Sequence, residues 1–140
     1  MSQMTDFLEA MLLNGLLRTA AFTKPSTVAV ALCTGAPGET GTIANEVTNA
    51  NGYARVDLGA PADADWAAPG AGGLVDNAAT ITFPTCVTAT WGTVSHVAIT
   101  DSATHGAGNV LLYGTLDVSK VVGVGDVVKF NVGELNVTFA

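Results

Sequence analysis

Phe7, Leu8, Met11, Leu12 and Leu16, with Ala20 beyond them, recur at spacings of one, three and four. That is the repeat of one helix face, and it predicts a single amphipathic helix over residues 3–20. Asp6 and Glu9, three positions apart at its start, have the spacing of a capping box. Asn14-Gly15 weakens the middle, the glycine by about 1 kcal/mol. An apolar stripe of this kind has to be covered, either by the domain's own sheet or by a neighbouring subunit.

After Lys24-Pro25 the helical period disappears. Short runs of Val, Thr, Ile and Phe follow, punctuated by Gly, Asn, Asp and Pro. Thr27 to Cys33 predicts a strand buried on both faces, because neither set of alternate residues is polar. Residues 35–51 predict a long polar loop, with a short strand near Glu46-Val47. Asn51-Gly52 is a turn signal leading into a strand over Tyr53 to Leu58, with Tyr53, Arg55 and Asp57 on one face. Residues 59–75, rich in Ala, Gly and Pro, predict an irregular loop anchored by the ring of Trp66. Further strands are predicted at Ala79 to Phe83, Thr93 to Asp101, Asn109 to Leu116 (Gly114 as a bulge), Val127 to Val132 and Leu135 to Phe139. Strands at this spacing, with turn residues between them, predict a mainly β chain. The expected architecture is a jelly-roll-like antiparallel β-sandwich over residues 26–140 behind an N-terminal amphipathic helix, in one domain spanning 1–140.

Composition sharpens the picture. With 140 residues, 49% of them apolar, the chain is large enough for one core without metals or disulfides. Only 12% of residues are charged, half the usual share, so part of the exterior is expected to be covered by a partner. The net charge of −7, with Arg18, Lys24, Arg55, Lys120 and Lys129 scattered, argues against nucleic acid as a partner. No run of 18 apolar residues predicts a membrane span. The N-terminal stretch carries Asp6 and Glu9 where a secretory signal would carry positive charge, so it reads as part of the folded protein. Cys33 and Cys86 lie in apolar runs, 53 positions apart and with no CxxC. They read as two small buried hydrophobes or as a disulfide, a choice the sequence leaves open.

Catalytic equipment is sparse. Ser95, His96 and Asp101 are the ingredients of a nucleophilic triad, but neighbouring strand residues point to opposite faces, which predicts no Ser95–His96 contact. Asp63, Asp65 and Asp76 gather around Trp66 without the frame of a calcium loop. Asn136-Val-Thr138 matches a glycosylation sequon inside a predicted strand. No catalytic residue, metal ligand or cofactor site is therefore assigned. Trp66, Trp91 and Tyr53 would be the stacking platforms if the domain bound carbohydrate for host attachment.

Several segments taken together resemble a family of small tailed-phage virion structural proteins, tail-fibre-like and capsid decoration-like. They are Phe7-Leu-Glu-Ala-Met-Leu-Leu-Asn14, VAVALCTGAPGETGT (28–42), NGYARV (51–56), AATITFPT (78–85), WGTVSHVAITDS (91–102), GNVLLYGTLDVSKVVGVGD (108–126) and ELNVTF (134–139). The resemblance runs over nearly the whole chain in the same order and departs around Trp66, where the loop is longer. It implies a non-enzymatic virion component without cofactor, either a tail or fibre part or a capsid cement protein. Its implied partners are copies of itself, as a homotrimer by analogy, and a major capsid or tail protein. The residues expected at such contacts are Phe7, Met11, Leu12 and Trp66.

Overall fold

A computed structural model describes residues 2–139. In chain order the elements are β1 (Ser2–Met4), α1 (Asp6–Leu17), β2 (Val28–Cys33), β3 (Val56–Gly59), β4 (Leu74–Asp76), β5 (Ile81–Thr82), β6 (Gly92–Thr100), β7 (Val110–Val122), β8 (Lys129–Phe130) and β9 (Asn136–Thr138). The fold is mainly antiparallel β with one N-terminal helix. A five-stranded sheet in the order β1-β7-β6-β2-β3 forms one layer, and the two-stranded ribbons β4–β9 and β5–β8 form a second, in a sandwich-like arrangement.

The sequence of β2 explains its central place. All six residues are buried. Val30 and Leu32 lie opposite Ile99 and Val97 of β6, and Ala31 lies opposite Ala98. Alternation thus makes one face of branched side chains and one of small ones. The branched face builds the main core with Tyr53, Phe83, Trp91 and Leu135. Tyr53 meets Trp91 edge-on, ring centres 5.3 Å apart. The small face, Ala31, Cys33, Ala98, Val110 and Tyr113, lets the polar loop after β2 lie close, with Ile43 packed on it.

The ribbons are too short to hold themselves in place by their own ladders. Buried Asn77 links them. Its Nδ2 donates to the carbonyls of Ala79 (2.8 Å) and Asn131 (2.9 Å), and its Oδ1 accepts from Leu135 N (2.8 Å). Backbone bonds between Asn77 and both Leu135 and Gly133 complete the staple.

Several local expectations change; among them, the strand expected over Tyr53 to Leu58 shortens to Val56–Gly59, so Tyr53 and Arg55 precede it. The helix spans Asp6–Leu17, shorter than 3–20, because residues 2–4 pair with β7 as an edge strand. Its cap is Thr5, whose Oγ1 accepts from Leu8 N at 3.4 Å, so Asp6 and Glu9 lie inside the first turn and form no capping box. Gly114 is no bulge; it pairs with Val97 and Ser2. The irregularity falls just beyond it. Val94 faces Lys120 but His96 faces Thr115, so residues 116–119 bow out of β7 against Ser95 alone.

Candidate interaction surfaces

Three features are the candidates for contact or chemistry: the N-terminal arm, an open groove between the layers, and a buried charge cluster behind the small face of the sheet.

The arm is fixed at one end. Thr5 is fully buried; its N–H donates to Leu111 O (3.1 Å) and its hydroxyl to Val110 O (2.5 Å). Asp6 N donates to Glu39 O at 2.7 Å. Phe7 packs so closely over Gly41 that a Cβ there would stand 2.7 Å from the Phe7 Cβ. Leu8 is the buried residue of the helix. Of the residues expected at contacts, Phe7, Met11 and Leu12 are half-buried and turn toward the body of the domain. Solvent takes the other side: Leu13, Leu16 and Leu17 are 56%, 77% and 78% exposed, and Phe22 in the following segment is 49% exposed. On a helix, 13, 16 and 17 form one patch, and Asp6, Glu9 and Ala10 continue it toward the N-terminus.

The groove, about 550 Å³, lies between the branched face of the sheet and the β5–β8 ribbon. Val97, Leu112 and Leu116 line the sheet side, Val128 and Phe130 the ribbon side. Lys120 and Lys129 also line it, as do Asp117 and Glu134. Glu134 is engaged locally, accepting from the N–H (2.7 Å) and Nδ2 (3.1 Å) of Asn131, and these bonds hold its carboxyl below the ordinary range. Val118, on the bowed segment of β7, lines the groove and is 78% exposed.

The charge cluster is built on a buried ion pair. Arg55 and Glu46 have side chains 0% and 4% exposed and pair in a fork, Nε to Oε1 at 2.7 Å and Nη2 to Oε2 at 2.8 Å. The remaining Arg55 nitrogen donates to the carbonyls of Ser102 (2.7 Å) and Ala107 (3.0 Å). Glu46 also accepts from Tyr53 Oη (3.1 Å) and Gly106 N (2.9 Å). Burial by itself would raise the Glu46 carboxyl, but the hydrogen bonds from Arg55 and Gly106 and the charge of Arg55 outweigh it and hold it below the ordinary value. His105 Nε2 donates to Val47 O at 2.8 Å and stands 3.8 Å from Glu46. The cluster ties the loop after β2 to the β6–β7 turn. Sequence reasoning placed Arg55 with Tyr53 on one strand face but not its partner. The signal was partly there: an arginine alternating with a tyrosine that the fold buries needs a carboxylate, although both residues lie just before β3 and not in it.

The groups considered for chemistry are dispersed. Ser95 Oγ does lie 2.8 Å from His96 Nδ1, contrary to the alternation argument, because the two residues sit at the β7 irregularity. Asp101 is elsewhere, accepting from the N–H (2.5 Å) and Nδ2 (2.9 Å) of Asn109. Among the described residues no three His, Cys, Asp or Glu side chains converge on one point. Cys33 and Cys86 are both buried free thiols, and burial, with Glu46 adding, pushes Cys33 up to about 12. Asn136 Nδ2 is occupied by Asp76 Oδ1 and Gly133 O. Of the aromatic platforms, Tyr53 and Trp91 are core residues, 4% and 6% exposed, and present no face on which a sugar could stack. Trp66 is half-buried and packs against two core clusters, with a backbone bridge to Asn77.

No helix is long and apolar enough to cross a membrane among the described residues. No curated protein matches the chain. The family model described as podophage GP4 fiber I protein gp80 matches residues 3–138, nearly the whole length and including both the arm and the closing strands. This chain therefore belongs to the podophage GP4 fiber I protein gp80 family, and it is a phage fibre structural protein of the virion.

Proposed function

We propose that the protein is a non-enzymatic fibre subunit on the outside of a tailed-phage particle that assembles as a homotrimer and docks on an adjoining tail protein. The observation that carries this reading is the helical arm, pinned at Thr5 and leaving three leucines of its outer face uncovered. A helix buries its apolar side because most of its stability comes from packing, so an uncovered leucine face is unfinished structure. Burying three leucines yields about 1.5–3 kcal/mol each, and threefold repetition turns such modest contacts into a durable assembly. The remaining exposed area of Phe7, Met11 and Leu12 would contribute to the same contact, and the loop around Trp66 to the contact with the tail. The fibre family favours placement at the tail over service as a capsid cement.

Quantitative mass spectrometry of purified particles tests the placement. A small multiple of three or six copies per particle is the expected result. Hundreds of copies would move the protein to the capsid, and its absence from particles would overturn the reading altogether.

A further inference from the structure

We propose that the outward leucine face of α1 seats in the open groove of a second copy of this chain, so that subunits join head to tail. This rests on the self-assembly reading above and names the two surfaces that meet.

The geometry prevents the chain from filling its own groove. Leu112 and Tyr113 are consecutive in β7 and point to opposite faces of the sheet. The groove opens on the Leu112 side. The arm is pinned on the Tyr113 side. Thr5 bonds Val110, which packs with Tyr113, and Phe7 sits over Gly41, whose carbonyl accepts from Val110 N. Asp6 and Glu39 lie near the Tyr113 phenol, which burial first and then these carboxylates raise above its ordinary value. Each copy thus presents a convex apolar patch on one face and an apolar groove on the other, and the two can be satisfied together only between copies. Contact between unlike patches is heterologous. Three such contacts close into a ring when the rotation is threefold.

Charge is compatible with the same pairing. The outer face of α1 carries Asp6 and Glu9 beside its leucines and no basic residue. The groove holds Lys120 and Lys129, two of the five basic residues in a chain of net charge −7. Its two carboxylates, Asp117 and Glu134, balance these lysines, so the groove is a charge-balanced stretch of an otherwise acidic chain. Copies of so acidic a chain repel one another in general. The groove is a place where an acidic, leucine-faced helix approaches lysines.

The test uses two variants altered only at exposed positions. Leu16→Glu with Leu17→Glu spoils the helix and leaves the groove; Val118→Glu with Lys129→Glu spoils the groove and leaves the helix. Circular dichroism and thermal melting establish that both fold. By sedimentation, the unaltered protein self-associates, and each variant weakens this at least about tenfold. Mixed together, the two variants form a 1:1 complex that grows no further, since one intact helix meets one intact groove. If the parent associates but the groove variant associates as well as the parent, the groove is not the seat and the proposal falls, while the fibre-subunit reading stands. A mixture with no 1:1 complex overturns it equally, pointing to helix-on-helix contact. If the parent remains a monomer throughout, both the proposal and the self-assembly reading are overturned, and the leucine face belongs to a different tail protein.

Discussion

Glu46 and Arg55 show how much a single pair can govern. Removing one member of a buried ion pair strands the other charge, at a cost of about 3–5 kcal/mol. Arg55→Met should therefore lower stability by that order, and a compensating Glu46→Leu should recover most of the loss, as chemical denaturation of the single and double variants would show. The pH dependence follows from the depressed carboxyl. Its folded value lies below the ordinary 4.5, so the unfolded state takes up its proton first as acid is added. The stabilisation is complete above pH about 4.5 and is lost as pH falls through the lower folded value. A plot of melting temperature against pH should fall more gently for Glu46→Gln than for the parent in that interval; equal slopes would remove Glu46 from the acid response. The nearby Cys33 makes a sharper residue-scale prediction. With its thiol up at about 12 and no exposed surface, it should resist alkylation at pH 8, as should buried Cys86, until denaturant is added. Mass spectrometry after iodoacetamide would reveal early labelling of either. The need for a partner was legible in Arg55 from the strand alternation that put it beside Tyr53. The identity of the partner was not, because Glu46 is brought in by a loop whose course depends on the alanines beneath it.

At the scale of elements, residues with a strong local period were readable and those recruited by tertiary contact were not. The β2 strand was legible because seven apolar or β-branched residues in a row can only be a doubly buried strand. The helix expected over 3–20 takes in Gln3 and Met4 because nothing in Ser-Gln-Met marks an edge strand; the open edge of β7 makes residues 2–4 one. The expected strand Asn109 to Leu116 falls short of the full β7, which runs on to Val122. Asp117 to Ser119 are the outward bow of a strand that resumes at Lys120. The attachment of the arm is testable on the same footing. Gly41 has φ +96°, and a Cβ there would meet Phe7, so Gly41→Ala should strain the loop and displace the helix start. Thr5→Val should remove the cap and the hydroxyl's bond to β7 while leaving the backbone bond to Leu111, costing about 1–2 kcal/mol. In both variants, hydrogen exchange at Asp6 and Leu8 should accelerate while Ala31 and Ala98 in the central strands stay protected. Loss of protection everywhere would mean that the arm is part of the global folding unit rather than an appendage to it.

At the scale of the whole molecule, the described residues form a two-layer body and a helix joined to it on one side by β1 and on the other by an exposed segment, and the two parts differ in how proteases reach them. Of the five basic residues, Arg55 is buried, Lys120 and Lys129 lie in paired strands, and Lys24 precedes Pro25, a bond that trypsin cleaves poorly. Arg18 is exposed, directly after the last helical residue and outside any ladder. Trypsin acting on the free subunit should therefore cut first after Arg18, leaving a fragment that begins at Thr19 and keeps β2 to β9, with β1 and α1 on the other piece. Assembly changes the prediction in a defined direction. If α1 is seated on a neighbour through Leu13, Leu16 and Leu17, the bond after Arg18 lies at the edge of a contact, and its cleavage should slow in proportion to the fraction assembled. Raising the protein concentration at a fixed ratio of protease should then protect Arg18 in the parent but not in Leu16→Glu/Leu17→Glu. Cleavage after Arg18 that is indifferent to concentration would show that the arm stays free in the assembly, and that the subunits hold together by the body alone.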